Sequence, residues 1–457
     1  MNGERSFASS QEGREHHPQP ETARMLEASA ILEKVIREEN LEPEVAERFK
    51  QAFLRLARGV AEITPLEEFA VRLARSVRDG RPLRVKLGLD PSAPDIHLGH
   101  TVVLRKLKDF QELGHIVQLV IGDFTGRIGD PTGRFETRRA LTEEEVRENA
   151  RTYLEQFSRV LDVSRVEVHF NATWLAPLTL AQTIELMSRM TVARMLERED
   201  FRERFASGRP IALHEFLYPL LQGYDSVVLR CDVELGGTDQ KFNFLVGRHL
   251  QESYGQPGQI LMLMPLLEGL DGVRKMSKSL GNYVGVQEPP EEMYGKIMSV
   301  PDFLVPRYAL LLTDMPEEEV RRLEEGMAAG TVHPMHAKKD LARRIVAQYH
   351  GEEAARRAEE HFTRVFQRRD LPEHLEEVWL PFADIPEGGM GLLSLLVRLG
   401  LAASTSEARR FVEQGAVRVD GVRVEDPRAR IFPRDGQVVQ VGRRNFRRIR
   451  LSQDAGP

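Results

Sequence analysis

Cysteine is almost missing from this 457-residue chain, which has one, Cys231, and two tryptophans. A lone cysteine closes no internal disulfide, so the fold must rest on packing, and a reducing cytoplasm is the expected compartment. No apolar run approaches the roughly 18 residues of a membrane span, and Leu261 to Leu267 is broken by Pro265, so no membrane partner is expected. The first residues are polar, without the apolar core of a secretory signal, and 1–22 read as a disordered extension. Two nucleotide signatures are also absent. No GxGxxG follows the first strand and no GxxxxGK[ST] occurs, which sets aside the dinucleotide and P-loop readings.

The composition is that of an ordinary globular protein, 41% apolar and 29% charged, with chain enough for about three domains. Its charge is unevenly spread. From Gly391 onward there are thirteen Arg, no Lys and seven acids, a surplus of six positive charges, which leaves −12 on the rest of a chain whose total is −6. An acidic body with a basic tail points to localised nucleic-acid contact.

Apolar spacing predicts two N-terminal helices within 23–64. Leu83–Leu89 alternates as a strand, a helix runs from near Gly99 to Gly114, and Ile116–Ile121 is an apolar run of strand length. Strand, helix, buried strand is a βαβ unit, so an α/β domain with a parallel sheet is expected over 65–265. A helical insertion at about 141–230, with a strand at Val166–Phe170, divides that sheet, which resumes with strands at Val227–Leu235 and Ile260–Leu263. A Gly-bounded loop (266–290), a helical domain (291–380), a linker (381–391) and a small α+β unit (392–457) complete the expected organisation.

Asp90-Pro91-Ser92 follows the first strand and leads to His97-Leu98-Gly99-His100 at the start of a helix. Unpaired N–H groups and the helix dipole favour an anion there, and two imidazoles three residues apart would face it. Gly99 would let a flat base approach the backbone. Alone, this pattern also fits a cap or a core pair. Arg274-Lys275-Met276-Ser277-Lys278-Ser279, after the sheet, adds two ammonium groups suited to charge that develops during phosphoryl transfer.

HLGH followed by KMSKS resembles the class I aminoacyl-tRNA synthetases. Gly122 to Pro131, Tyr218 to Asp225 and Gly236-Gly237-Thr238-Asp239-Gln240 are similar to the tyrosyl-tRNA synthetases, in their bacterial KMSKS-type branch. Tyr218, Gln222 and Asp225 fall at i, i+4 and i+7, so one helix face directs them to one pocket. The resemblance implies that Asp225 accepts the phenol of tyrosine, that Tyr218, Gln222 and Asp130 hold its ammonium, and that Asn171 supports the pocket. It places Asp239 on the ribose, Gln240 beside the reacting carboxylate, Asp90 and Ser92 at the α-phosphate, and Gly99 and Gly236 against ATP. His97, His100, Lys275 and Lys278 would surround the phosphates. Lys86 stands where the compact branch of the family has a Tyr that shares the substrate hydroxyl, and is counted with the tyrosine-binding residues.

The implied reaction is ATP-dependent: tyrosine attacks the α-phosphate, pyrophosphate leaves, and the adenylate acylates tRNA(Tyr). Mg²⁺ would accompany ATP without a protein cage of its own, and the enzyme would be a homodimer with an interface near Met190 to Arg198. Residues 406–421 resemble a small RNA-binding domain shared by a ribosomal protein and pseudouridine synthases, in which Arg409, Arg410, Arg443, Arg444, Arg447 and Arg448 would contact tRNA. The tryptophanyl relative and a synthetase-derived RNA-binding protein are the rival readings. The first lacks the C-terminal unit, and the intact HLGH, KMSKS and GGTDQ motifs speak against the second.

Overall fold

The computed structural model describes residues 21–90, 96–130, 142–367, 375–386, 388–442 and 445–452. The chain divides into two compact units, Met1–Ala355 and Arg356–Pro457.

The first unit opens with α1 (Glu21–Glu38) and α2 (Pro43–Ala57). Pro43 begins α2, where its missing N–H costs nothing, and Ala46, Phe49, Phe53 and Leu56 bury one face. Next come β1 (Glu62–Thr64), α3 (Leu66–Asp79), β2 (Arg84–Leu89), α4 (Leu98–Glu112), β3 (Ile116–Ile121), α5 (Glu143–Phe157) and β4 (Val166–Phe170). A helical stretch follows: α6 (Ala172–Leu175), α7 (Leu180–Ser188), α8 (Val192–Met195), α9 (Glu199–Ala206) and α10 (Leu217–Leu229). After β5 (Val233–Gly237), α11 (Lys241–Ser253) and β6 (Ile260–Met264), the chain continues as α12 (Pro290–Met298), α13 (Val305–Leu312), α14 (Glu317–Ala328) and α15 (Pro334–His350), and α16 (Glu352–Phe362) contains the boundary between the units.

The six strands lie in the order β1-β6-β5-β2-β3-β4, all parallel except β1, which pairs antiparallel with β6. From β2 the sheet winds one way through β3 and β4 and the other way through β5 and β6. In such a doubly wound sheet the crevice at the carboxyl ends of the two central strands is the natural ligand site. Val85 pairs with Val233 and Lys86 with Glu234, and there the β2–β5 ladder ends. Beyond it Leu87–Leu89 stay with β3 and Leu235–Gly237 with β6, so the two strands part and leave a cleft.

Three expectations change. Val227–Leu229 close α10 instead of starting a strand, because Arg230 turns left-handed (φ 50°) and β5 begins only at Val233. The segment 141–170 is no insertion: β4 pairs with β3 and is an edge of the sheet, so the helical stretch between strands starts after it. Glu62–Thr64, placed among helices, is a strand that covers the other edge.

In the second unit β7 (Glu377–Pro381), β8 (Met390–Gly391), α17 (Leu392–Arg398), α18 (Thr405–Glu413), β9 (Val417–Val419), β10 (Val422–Arg423), β11 (Arg430–Ile431), β12 (Val438–Val441) and β13 (Asn445–Ser452) build two sheets, β10-β9-β12-β13-β7 and β11-β8. Leu392, Leu395, Leu396, Val412, Val439 and Ile449 form the core. β7 pairs parallel with β13, so this fold starts well before residue 392, in a segment expected to be helical or linking.

Candidate active site

A cavity of about 290 Å³ fills the cleft between β2 and β5. Its lining includes Asp90, His100, Asp130, Asn171, Tyr218, Gln222, Asp225, Gly236, Asp239, Gln240 and Lys275, so eleven residues singled out in the sequence meet in one place. Lys86, His97, Gly99 and Lys278 are not on its walls. Ser92, Arg443 and Arg444 lie outside the described residues.

At the α10 wall, Asp225 is buried and accepts from Trp174 Nε1 at 2.8 Å and from Asn171 Nδ2 at 3.2 Å. Burial pushes its pKa up to about 7, against the pull of Lys86 and of these two donors. Asn171 also accepts from Phe124 N and donates to Thr125 Oγ1, which in turn donates to Asp90 Oδ1 at 3.0 Å. Gly122 makes this approach feasible: a Cβ there would sit 2.0 Å from Asp90 Oδ1. Tyr218 Oη donates to Asp90 Oδ2 at 2.6 Å, which ties the α10 face to the end of β2.

On the β5 side, Gly237 leads into a 3-10 turn, Thr238–Gln240, and α11. Gln240 Nε2 donates to Asp130 Oδ2 at 2.8 Å, and Asn243 Nδ2 donates to both Gln240 Oε1 and Gln222 Oε1 at 3.1 Å. Arg198, also buried, lies 3.6 Å from Asp130. Trp174, Thr125, Asn243 and Arg198 received no site role from the sequence, although Thr125 lies inside the Gly122–Pro131 motif and Arg198 ends the segment expected at the interface. Trp174 had one signal, the rarity of tryptophan in the chain.

His97 is the N-cap of α4. Its Nδ1 accepts from Gly99 N at 3.1 Å, while His97 N donates to His100 Nδ1 at 3.2 Å. Each Nδ1 is thereby an acceptor, which leaves the proton of each neutral ring on Nε2. Burial, then each other's company and Lys278, depress His97 to about 2; burial and Lys278 depress His100 to about 4. The pair therefore offers neutral N–H donors instead of positive charges. Gly99 leaves room for this cap: a Cβ there would stand 2.9 Å from the His97 ring.

Lys275 Nζ lies 3.4 Å from Asp239 Oδ2, beside the carboxylate instead of the histidines. Lys278 opens a 3-10 turn, Lys278–Leu280, and acts electrostatically on His97 and His100. Asn282, buried, fixes this loop by accepting from Ser277 N and donating to Asp271 Oδ2 and Lys275 O. Lys86 is withdrawn beneath the floor: its three ammonium hydrogens are spent on Glu234 Oε1 (2.8 Å), Ser226 Oγ (2.6 Å) and the Gln222 carbonyl (3.2 Å). It is not a substrate ligand, because no donor remains to reach one.

In the second unit, Arg409 and Arg410 are exposed on α18. Arg447 and Arg448 lie half-buried along β13, facing Glu376 (3.0 Å) and Glu377 (3.8 Å), and Arg410 faces Glu407 at 3.4 Å.

An α/β sheet with its cavity at the switch point, a histidine-capped helix and a lysine loop beyond the sheet define a class of enzyme. The family model for class I tRNA synthetases (W and Y) matches residues 78–367 and that of the S4 domain matches 390–433, and the chain belongs to the class I tRNA synthetases. Within them it falls among the tyrosine–tRNA ligases. It is 58% identical over 409 residues to the tyrosine–tRNA ligase of Moorella thermoacetica, covering 90% of this chain and 97% of that one. It is 54% identical over 396 residues to that of Carboxydothermus hydrogenoformans, covering 86% and 96%. The fold is shared with a C-terminally truncated mitochondrial tyrosyl-tRNA synthetase of Aspergillus nidulans (TM-score 0.55, 20% identity, 76% of this chain and 99% of that chain).

Proposed function

We propose that this cavity is where the tyrosine–tRNA ligase activity resides: tyrosine and ATP form tyrosyl-adenylate with release of pyrophosphate, and the tyrosyl group passes to tRNA(Tyr). The observation that carries the residue assignment is Asp225, a buried carboxylate on the α10 wall, held by two donors and facing the cavity. A phenol entering there donates to it, and a phenyl ring leaves it without that partner.

The ammonium of tyrosine takes the acceptors around Tyr218 Oη, Asp130 and Gln222, and its carboxylate lies toward Gln240. Asp239 accepts from the ribose, with Lys275 beside it balancing the charge. His97 and His100 donate neutral N–H groups to the phosphates, and Lys278 supplies the positive charge that grows in value as pyrophosphate departs. No side chain forms a covalent bond to substrate; rate comes from positioning. Asp90, hydrogen-bonded to Tyr218 and Thr125, organises the wall more directly than it meets a phosphate.

Magnesium enters as part of the ATP substrate, on the phosphate oxygens. Among the described residues no three His, Cys, Asp or Glu are grouped as a resident metal would need. Arg409 and Arg410 on α18 are the proposed tRNA contacts of the S4 unit. The enzyme works as a homodimer: Leu180, Ile184 and Met187 line one exposed face of α7, with Val192 and Phe205 exposed nearby, and a second copy would cover them. This shifts the proposed interface toward α7, because Met195 and Arg198 are buried. Among the described residues no helix is long and apolar enough to cross a membrane, and the cytoplasm is the proposed compartment.

Amino-acid-dependent pyrophosphate exchange tests the reading. Tyrosine is the expected substrate, preferred over phenylalanine by about 10⁵, a figure long attached to this enzyme family and adopted from it. In Asp225→Ala that preference should collapse; an unchanged preference would refute the assignment.

A further inference from the structure

Below the cavity floor lies a buried charged pair that takes no part in the chemistry described above. Lys86 and Glu234 are both fully shielded, at 0% exposure, and are direct partners in the last rung of the β2–β5 ladder. Burying an ion pair is costly, and one placed at the point where two strands part needs a reason beyond stability. Its surroundings supply one. The ammonium bonds to the carbonyl of Gln222 and the hydroxyl of Ser226, and Asp225 stands between these two on α10. Glu234 is itself held by Ser226 Oγ at 3.3 Å, Gln222 Nε2 at 3.3 Å and Gln259 Nε2, so the pair cannot swing away.

We propose that Lys86 is a positioning residue for substrate selectivity: fixed by Glu234 behind α10, it supplies the positive field that keeps Asp225 in the carboxylate form that a phenol requires. The proposal rests on Asp225 as the phenol acceptor. Other charged or titratable groups face the same wall: Glu234 from β5, Tyr218 from α10 itself, Asp90 at the end of β2 and Asp130 after β3, with the buried Cys231 thiol held protonated. Lys86 is the one cation among these; Lys275, beside Asp239, and the neutral His100 also line the cavity. Burial is the largest influence on Asp225 and opposes ionisation; Lys86 is the strongest influence in the other direction, ahead of Trp174 and Asn171. Glu234 opposes it more weakly. Because the ammonium is a buried support and not a substrate contact, its field acts with no lysine donor competing for the phenol oxygen.

The test is the pH profile of kcat/KM for tyrosine-dependent pyrophosphate exchange from pH 6 to 9, with phenylalanine in parallel. The wild-type profile should fall on the acid side of about pH 7. In Lys86→Met, and in Lys86→Met/Glu234→Gln, which leaves no lone buried charge, the limb should move up by about one pH unit or more. That is roughly a tenfold loss at pH 6.5, much less at pH 9, and little change in kcat. The Tyr-to-Phe ratio should drop at pH 6.5 with it, and Lys86→Arg should return the limb toward its wild-type place. Should neither methionine variant fold, Glu234→Gln decides, because removal of that anion should lower the limb. A limb that stays fixed in the folded variants, or a loss equal at pH 6.5 and pH 9, overturns the proposal. Asp225→Asn separates the two readings: if it erases the preference for tyrosine while Lys86 variants leave the limb in place, the site assignment stands and the role of Lys86 falls.

Discussion

The hydroxyl of Tyr218 donates a hydrogen bond to Asp90 Oδ2, 2.6 Å away, across 128 positions of sequence. Burial and the nearby carboxylates of Asp90 and Asp130 hold the phenol pKa well above its ordinary value, so this proton is not released at physiological pH. The oxygen keeps its lone pairs for a donor in the cavity, which is what a bound ammonium would be.

Tyr218→Phe should therefore weaken tyrosine binding without altering the chemical step. A rise in KM of about tenfold with kcat nearly constant is the expected result, the mark of an interaction equal in ground and transition states. Steady-state exchange kinetics measures it. An equal fall in kcat would mean that the Tyr218–Asp90 contact acts in the transition state.

Asp225 carries a stability cost with a defined sign. Its pKa lies near 7 in the fold against an ordinary value of 3.8, so its contribution is intact below the lower value and is lost as pH rises through the higher one. The Tm of Asp225→Asn relative to wild type should rise between pH 5 and pH 8. The swing should be on the order of 2 kcal/mol, or a few degrees. Thermal melts across that range suffice, and a difference constant with pH would contradict the buried, proton-poised carboxylate.

His97 has two duties, capping α4 and donating from Nε2. Asparagine can cap and donate, whereas alanine does neither. Single-turnover adenylate formation should rank wild type above His97→Asn and that above His97→Ala, with the alanine variant slower by about 10². Equal rates in the two variants would show that the ring is only structural.

Lys278→Ala should slow adenylate formation by about 10² or more and leave tyrosine affinity nearly intact, since its charge matters as pyrophosphate departs. Rapid-quench measurements beside equilibrium tyrosine binding separate the two. Equal losses in both would place Lys278 in binding or folding.

In the C-terminal unit, exposure divides the arginines. Arg409→Ala should flatten the dependence of log tRNA affinity on log salt by about 0.7 to 0.9, the loss of one phosphate contact. Arg448→Ala, whose partner is Glu377, should leave that slope unchanged. A salt titration of tRNA binding compares them directly.

Much of this protein is legible in local pattern. Alternation in β2, the apolar run of β3 and the 3.6-residue spacing of α2 and α10 are properties of adjacent residues, so periodicity finds them. The HLGH, KMSKS and GGTDQ motifs are also local, and the i, i+4, i+7 spacing of Tyr218, Gln222 and Asp225 places all three on the cavity wall without knowledge of the rest of the chain. What sequence reasoning missed is pairing over distance. β1 at one sheet edge, only three residues long, and β7 beside β13, which lacks a clean alternation and ends in Pro381, do not announce themselves, and each is a strand because a remote strand offers it hydrogen bonds. Only the tertiary structure decided that Lys86 lies behind the pocket and not in it, that His97 and His100 are uncharged, and that Arg447 and Arg448 face Glu376 and Glu377. Charge state and reach depend on burial and on partners brought together by folding, and those are fixed by the three-dimensional arrangement of the strands, not by the order of residues along any one of them.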